Sequence, residues 1–155
     1  MTVTTPPTSL DGLRASLTRW LAKHSIDLLR VSLGVVFLGF GVLKFFPGAS
    51  PAEALVARTV DALSLGIVSG REAVVLTAVA ECFIGITLIS GKFLRAGLLV
   101  LAASLVGIMS PLVIFWGDMF PGTPTLEAQY VFKDIVLATG GLVVAARALG
   151  ARLVP

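Results

Sequence analysis

The chain has 155 residues, 56% of them hydrophobic and only 14% charged, whereas an ordinary soluble domain is about 45–50% apolar and about 25% charged. One cysteine, Cys82, and one histidine, His24, exclude an intrachain disulfide, a CxxC redox pair, bis-histidine haem and any Cys/His cluster for zinc or iron–sulfur; no metal and no covalently held cofactor is expected, and a redox cofactor would come from elsewhere. The net charge of +3 fits the cationic cytoplasmic loops of a membrane protein, and the basic residues are not grouped with aromatics as a nucleic-acid face requires.

Residues 1–8, with Pro6 and Pro7, read as a short disordered tail. From Leu10 to His24 the residues Leu10, Leu13, Leu17, Trp20 and Leu21 recur at helical period, with Arg14, Arg19 and Lys23 on the other face. This predicts an amphipathic helix for an anionic membrane surface, or one packed on the protein's own cytoplasmic end. Residues 1–25 are thus an N-terminal arm and residues 26–150 an all-α membrane domain of four spans. The first span runs from about residue 27 to 46, punctuated by Gly34, Gly39 and Gly41. Ser50-Pro51-Ala52-Glu53 then opens a short helix, with Ser50 as N-cap and Glu53 closing a capping box. Leu55, Val56, Thr59 and Leu63 form its apolar face; it is too short and too charged to span, and should lie in the interface and roof the bundle.

The second span is about 72–89, followed by the tight turn Ser90-Gly91-Lys92. The third is about 95–116; Pro111 removes a backbone hydrogen bond and predicts a kink. A loop with Pro121, Gly122 and Pro124 leads to the fourth span, about 129–146, and Trp116 and Phe120 suit the headgroup level. Lysine and arginine concentrate in the N-terminal arm, the Lys92–Arg95 turn and the Arg147–Arg152 tail, which puts both termini in the cytoplasm.

Three of the four spans carry ionisable residues, at a cost of roughly 3 kcal/mol or more each at the bilayer centre. Glu81 lies nine residues into the second span, roughly 13 Å down. Lys44, Ser110, Gln129, Tyr130, Lys133 and Asp134 fall in the same outer half, so with Glu81 they form the candidate ligand-binding cluster; no catalytic residue is assigned. Gly34, Phe37, Gly41 and Lys44 share an arc of about 80°. Thr77, Glu81 and Gly85 share a face, as do Lys133, Leu137 and Gly141, and small residues at this spacing let helices approach closely. Each charge has a bland alternative. Lys44 either snorkels or faces inward. Arg30 snorkels or pairs with Asp27. Lys133 and Asp134 diverge by about 100° and cannot face one partner squarely. Glu81 either meets a ligand or pairs with Lys133 or Lys44. Cys82 reads as a small packing residue.

The runs LLRVSLGVVFLGFGVLKFFPG, AECFIGITLISGKFLRAG and QYVFKDIVLATGGLVVAAR resemble the DoxX-like family of small bacterial four-helix membrane proteins. The resemblance covers about residues 27–147. It rests on Lys44-Phe45 after a glycine-punctuated helix, on Glu81 with Gly85 and the Gly91-Lys92…Arg95 turn, and on Tyr130…Lys133-Asp134. It implies a multi-pass bundle in the bacterial cytoplasmic membrane. Some relatives are subunits of quinone-reducing sulfur oxidoreductases and others are linked to oxidative-stress defence. The leading expectation is therefore an accessory subunit of a membrane redox or oxidative-stress system rather than an enzyme on its own, whose inward polar cluster binds a quinone or other lipophilic ligand. A proton-linked permease and a purely structural scaffold are the alternatives. Expected partners are the lipid bilayer, a membrane or peripheral oxidoreductase subunit, and a second copy of the chain.

Overall fold

Long apolar stretches with few breakers leave the backbone one way to satisfy its hydrogen bonds away from water, the α-helix. The computed structural model describes residues 9–152, all helices and connecting turns with no strand among them; the tail expected at residues 1–8 lies outside the described residues. The elements are α1 (Ser9–Lys44), α2 (Glu53–Leu63), α3 (Gly70–Ser90), α4 (Leu94–Met109), α5 (Pro111–Ile114), α6 (Trp116–Met119) and α7 (Leu126–Ala148). Three helical stretches, Leu10–Lys44, Gly70–Ser90 and Leu94–Ile114, are long and apolar enough to cross a bilayer. Helix α7 is as long at 23 residues but carries Glu127, Lys133, Asp134 and Arg147.

The four long helices close a ring. Helix α1 packs on α3 and α7, and α4 packs on α3 and α7 from the opposite corner. At one end the ring is filled by Leu33, Phe37, Ile84, Leu88, Leu101 and Val144. At the other a smaller cluster, Leu55, Met119, Ala128 and Val131, joins α2 to α6 and α7.

Helix α1 departs from expectation. Instead of an amphipathic helix followed by a separate span, it is one helix of 36 residues. The junction Ser25-Ile26-Asp27 has neither glycine nor proline, so nothing there interrupts the hydrogen-bond ladder. Leu10, Leu13, Leu17, Trp20 and Leu21 remain exposed rather than packed on the bundle. Where α1 enters the ring, Arg30 pairs with Asp27 at 3.7 Å. The same guanidinium donates to the Leu88 carbonyl and, at 3.2 Å, to that of Ile89. These are unsatisfied acceptors at the α3 C-terminus, where a cation also complements the helix dipole.

Three boundaries are set by local chemistry. Gly91 adopts φ 71° as the C-cap of α3 and its N–H donates to Thr87 O, a left-handed cap that glycine adopts without steric cost. The third span is interrupted as the proline predicts: α4 stops at Met109 and α5 restarts at Pro111. The capping box does not form. Ala52, not Ser50, is the N-cap of α2, with no side-chain cap. The Glu53 carboxylate instead accepts from Gly48 N at 2.7 Å and pairs with Arg71 at 3.2 Å, charge-assisted contacts that outcompete a neutral cap.

Helices α1 and α3 meet backbone to backbone. A Cβ on Gly85 would lie 2.6 Å from Leu38 Cβ and 2.8 Å from Gly34 O, whereas a Cβ on Gly39 would meet nothing within 4 Å. Gly85→Ala should therefore destabilise the bundle by about 1–3 kcal/mol through overpacking. Gly39→Ala should be neutral or slightly stabilising, since alanine is the better helix former by about 1 kcal/mol. Thermal unfolding of the two variants in the same detergent checks the contrast.

Candidate functional site

Between the four long helices and α2 lies a chamber of about 600 Å³, walled largely by apolar side chains such as Phe37, Phe40, Leu55, Val56, Val131 and Leu137. Its polar floor comes from α1 and α3. Gly41 lets the last turn of α1 press onto α3, since a Cβ there would lie 2.9 Å from Cys82 N and 3.0 Å from Glu81 Cβ. That approach delivers Lys44, one turn on, to Glu81: Lys44 Nζ lies 2.6 Å from Glu81 Oε2. The two residues are 3% and 5% exposed. Lys44 therefore does not snorkel. Its ammonium also reaches Phe40 O at 3.5 Å and lies 5.8 Å from the Phe40 ring centroid. Two charges removed from water persist only when each has a partner, and here each is the other's.

The remaining residues of the expected cluster separate into two groups. Tyr130, Lys133 and Asp134, all on α7, line the chamber. Lys133 does not reach Glu81; its ammonium lies 4.0 Å from the Tyr130 ring centroid and 5.6 Å from that of Phe40. These are cation–π distances. Gln129 and Ser110 are not part of the wall. Gln129 is exposed and donates to Pro124 O at 3.3 Å. Ser110 Oγ donates to Gly107 O at 2.7 Å, back onto its own helix. Depth alone had grouped these two with the others, and their rotational position on the helix separates them.

Sequence reasoning placed α2 over the bundle but did not make it a wall. Leu55, Val56, Thr59 and Val60 all face the chamber. The roof is tied down on its outer side. Arg58 pairs with Asp118 and stacks 3.9 Å from the Phe115 ring centroid. Arg71 joins Glu53 to Phe45 O, the latter at 2.6 Å. Two hydroxyls near the chamber are already engaged: Thr59 donates to Leu55 O at 2.7 Å and Thr77 to Ala73 O at 2.9 Å. The apolar stripe of α2 was the available signal, because a face of Leu55, Val56 and Thr59 needs something to cover.

The buried pair makes a sharp prediction. Lys44→Met should destabilise the protein by about 3–5 kcal/mol, because it strands the Glu81 carboxyl, while Lys44→Met combined with Glu81→Met should recover most of that loss. Melting temperatures of both variants in one detergent decide it, and equal losses in single and double variants would mean the pair is not coupled.

A family model, DoxX, matches residues 25–116, more than half the chain. The matched part contains Lys44 and Glu81, whereas Tyr130, Lys133 and Asp134 lie beyond it. No curated protein and no solved structure matches. A glycine-packed α1–α3 pair that buries Lys44 on Glu81 thus sits within a family-matched segment, and the chain belongs to the DoxX family.

Proposed function

We propose that this protein crosses the bacterial cytoplasmic membrane four times and binds a lipophilic quinone in its chamber, as an accessory subunit of a membrane redox or oxidative-stress system. The observation that carries the ligand reading is the chamber: about 600 Å³, almost wholly apolar, with charged groups confined to one floor and one wall. Small-molecule sites run to about 300–1,000 Å³, with a few placed polar groups in an apolar lining. A quinone needs a flat apolar slot and donors for its carbonyls, and Lys133 and Tyr130 stand at the wall with Phe40 as a ring platform. The chain has no haem, thiol-pair or iron–sulfur chemistry of its own to turn a quinone over. A binding subunit that serves a separate oxidoreductase is the role this leaves.

The length of α7 supports a fourth span. At about 1.5 Å per residue its 23 residues reach roughly 34 Å, enough for a hydrocarbon core of about 30 Å. The objection to its charges weakens because Asp134 turns toward the chamber and Lys133 lies over two rings. An even number of spans would put Arg14, Arg19, Lys23, Lys92, Arg95, Arg147 and Arg152 on one side, and the positive-inside bias supports both termini in the cytoplasm.

Two measurements test this reading. Menadione should raise the melting temperature of the purified protein. Ala80→Phe, which puts a ring into the chamber from α3, should remove that shift while leaving the ligand-free melt near wild type; an unshifted wild type ends the proposal. Reporter fusions at each terminus should both read cytoplasmic, and a periplasmic C-terminus would reduce the spans to three.

A further inference from the structure

The polar groups around the chamber are not equivalent. Lys44 and Glu81 are spent on each other, and the hydroxyls of Thr59 and Thr77 are spent on their own helices. The Ser104 hydroxyl on α4 remains, and on α7 three groups remain together: the Tyr130 hydroxyl, the Lys133 ammonium and the Asp134 carboxylate. Among the described residues none of the three makes a hydrogen bond or an ion pair; Lys133 lies over two ring faces, and Asp134 interacts with the charges of Lys133 and Lys44 only at longer range. All three line the chamber. At 100° per residue they fall within about 100° of arc on α7, so they present one polar edge to one void. Tyr130 and Asp134 are half-buried and Lys133 is exposed, so all three stay within reach of a ligand, and polar groups on one face of an apolar chamber give the polar end of a ligand a place to dock.

The chemistry of that edge is specific. Tyr130 and Lys133 donate; the Asp134 carboxylate only accepts. A quinone presents carbonyl oxygens and nothing else. It can receive from Tyr130 and Lys133, but it gives Asp134 no proton and sets oxygen lone pairs against a carboxylate. A hydroquinone presents O–H groups whose oxygens still accept. One hydroxyl can donate to Asp134 while its oxygen, or the ring's other oxygen, receives from Lys133 or Tyr130. Building on the lipophilic-ligand reading above, we infer that the chamber selects the reduced, dihydroxy form of a lipophilic quinone over the oxidised form, and that Asp134 makes the selection. No electron or proton transfer is involved; the protein holds the reduced carrier. The Lys44–Glu81 pair is then a helix staple, not part of the reading edge, and the specificity lies on a helix outside the family-matched segment.

The test is a calorimetric titration of the full chain in lipid nanodiscs with menadione and, under anaerobic conditions, with menadiol. A hydrogen bond to a charged acceptor predicts that menadiol binds about tenfold tighter or more. In Asp134→Asn the amide donates as well as accepts, so it can serve a carbonyl, and the ratio of the two affinities should fall to near one. Tyr130→Phe keeps the ring under Lys133 and loses one donor, so both affinities should drop while their ratio persists. Equal affinities in the wild type, tighter binding of menadione, or a ratio that survives in Asp134→Asn would each overturn the inference while leaving the chamber as a site for lipophiles. Failure of both compounds to bind would overturn the inference and the quinone reading together.

Discussion

The rest of the structure depends on a cation and a carboxylate held 2.6 Å apart where water is scarce. In such surroundings the desolvation cost of either charge alone is several kcal/mol, and only close mutual contact offsets it. The pair therefore constrains everything that must be in place for it to form. Lys44 is the last residue of α1, so the end of that helix is fixed to one height on α3. Gly41 has to be small for α3 to come near, and Gly34 and Gly85 hold the same two helices together further down. The α1–α3 pair is consequently the most extensively packed in the ring, with contacts running from the Arg30 cap at one end of α3 to the ion pair in its middle.

The other half of the ring is built differently. Helix α7 is held at its C-terminal half, where a Cβ on Gly140 would meet Leu29 and Leu33 and one on Gly141 would meet Leu101. Its N-terminal half lines the chamber and carries polar side chains without protein hydrogen bonds at Tyr130, Lys133 and Asp134. The roof, α2, is fastened from outside by Arg58–Asp118 and Arg71–Glu53. Those pairs are solvent-accessible and individually worth at most about 1 kcal/mol. A stiff floor, a wall packed at one end and a lightly fastened roof together describe a chamber that can adjust to an occupant without disturbing the helix pair beneath it.

Much of this was legible in sequence. Glycines at helical spacing on the first and second spans point to a close α1–α3 contact, and an acidic residue too deep to snorkel has to turn inward. The partner of Glu81 was not legible, because Lys44 and Lys133 lie at similar depth and only the rotation set by Gly41 separates them. Ser50 and Glu53 carry the spacing of a capping box, yet a nearby arginine and a free amide took the carboxylate, a tertiary competition that no local pattern reports. The break expected after His24 rested on a change of hydrophobic period. A change of period alters which face is apolar; it does not end a helix, and with no glycine or proline at the junction α1 continues. Gln129 and Ser110 were grouped by height alone, and height says nothing of direction.

The division between satisfied and unsatisfied polar groups separates stability from recognition. A buried ion pair that closes on itself has its charge compensated within the protein, so its main contribution is to hold helix register. Groups without a protein hydrogen bond keep donors and acceptors to offer, and a molecule that binds them stabilises the folded state by mass action. On this reasoning Glu81, the most conspicuous charge in the sequence, owes its depth to folding. In the binding proposed above, the chemistry of recognition falls instead to Tyr130, Lys133 and Asp134, whose neighbouring charges had seemed too awkwardly placed to share one partner. Their divergence around α7 lets donors and an acceptor reach different atoms of a single ring.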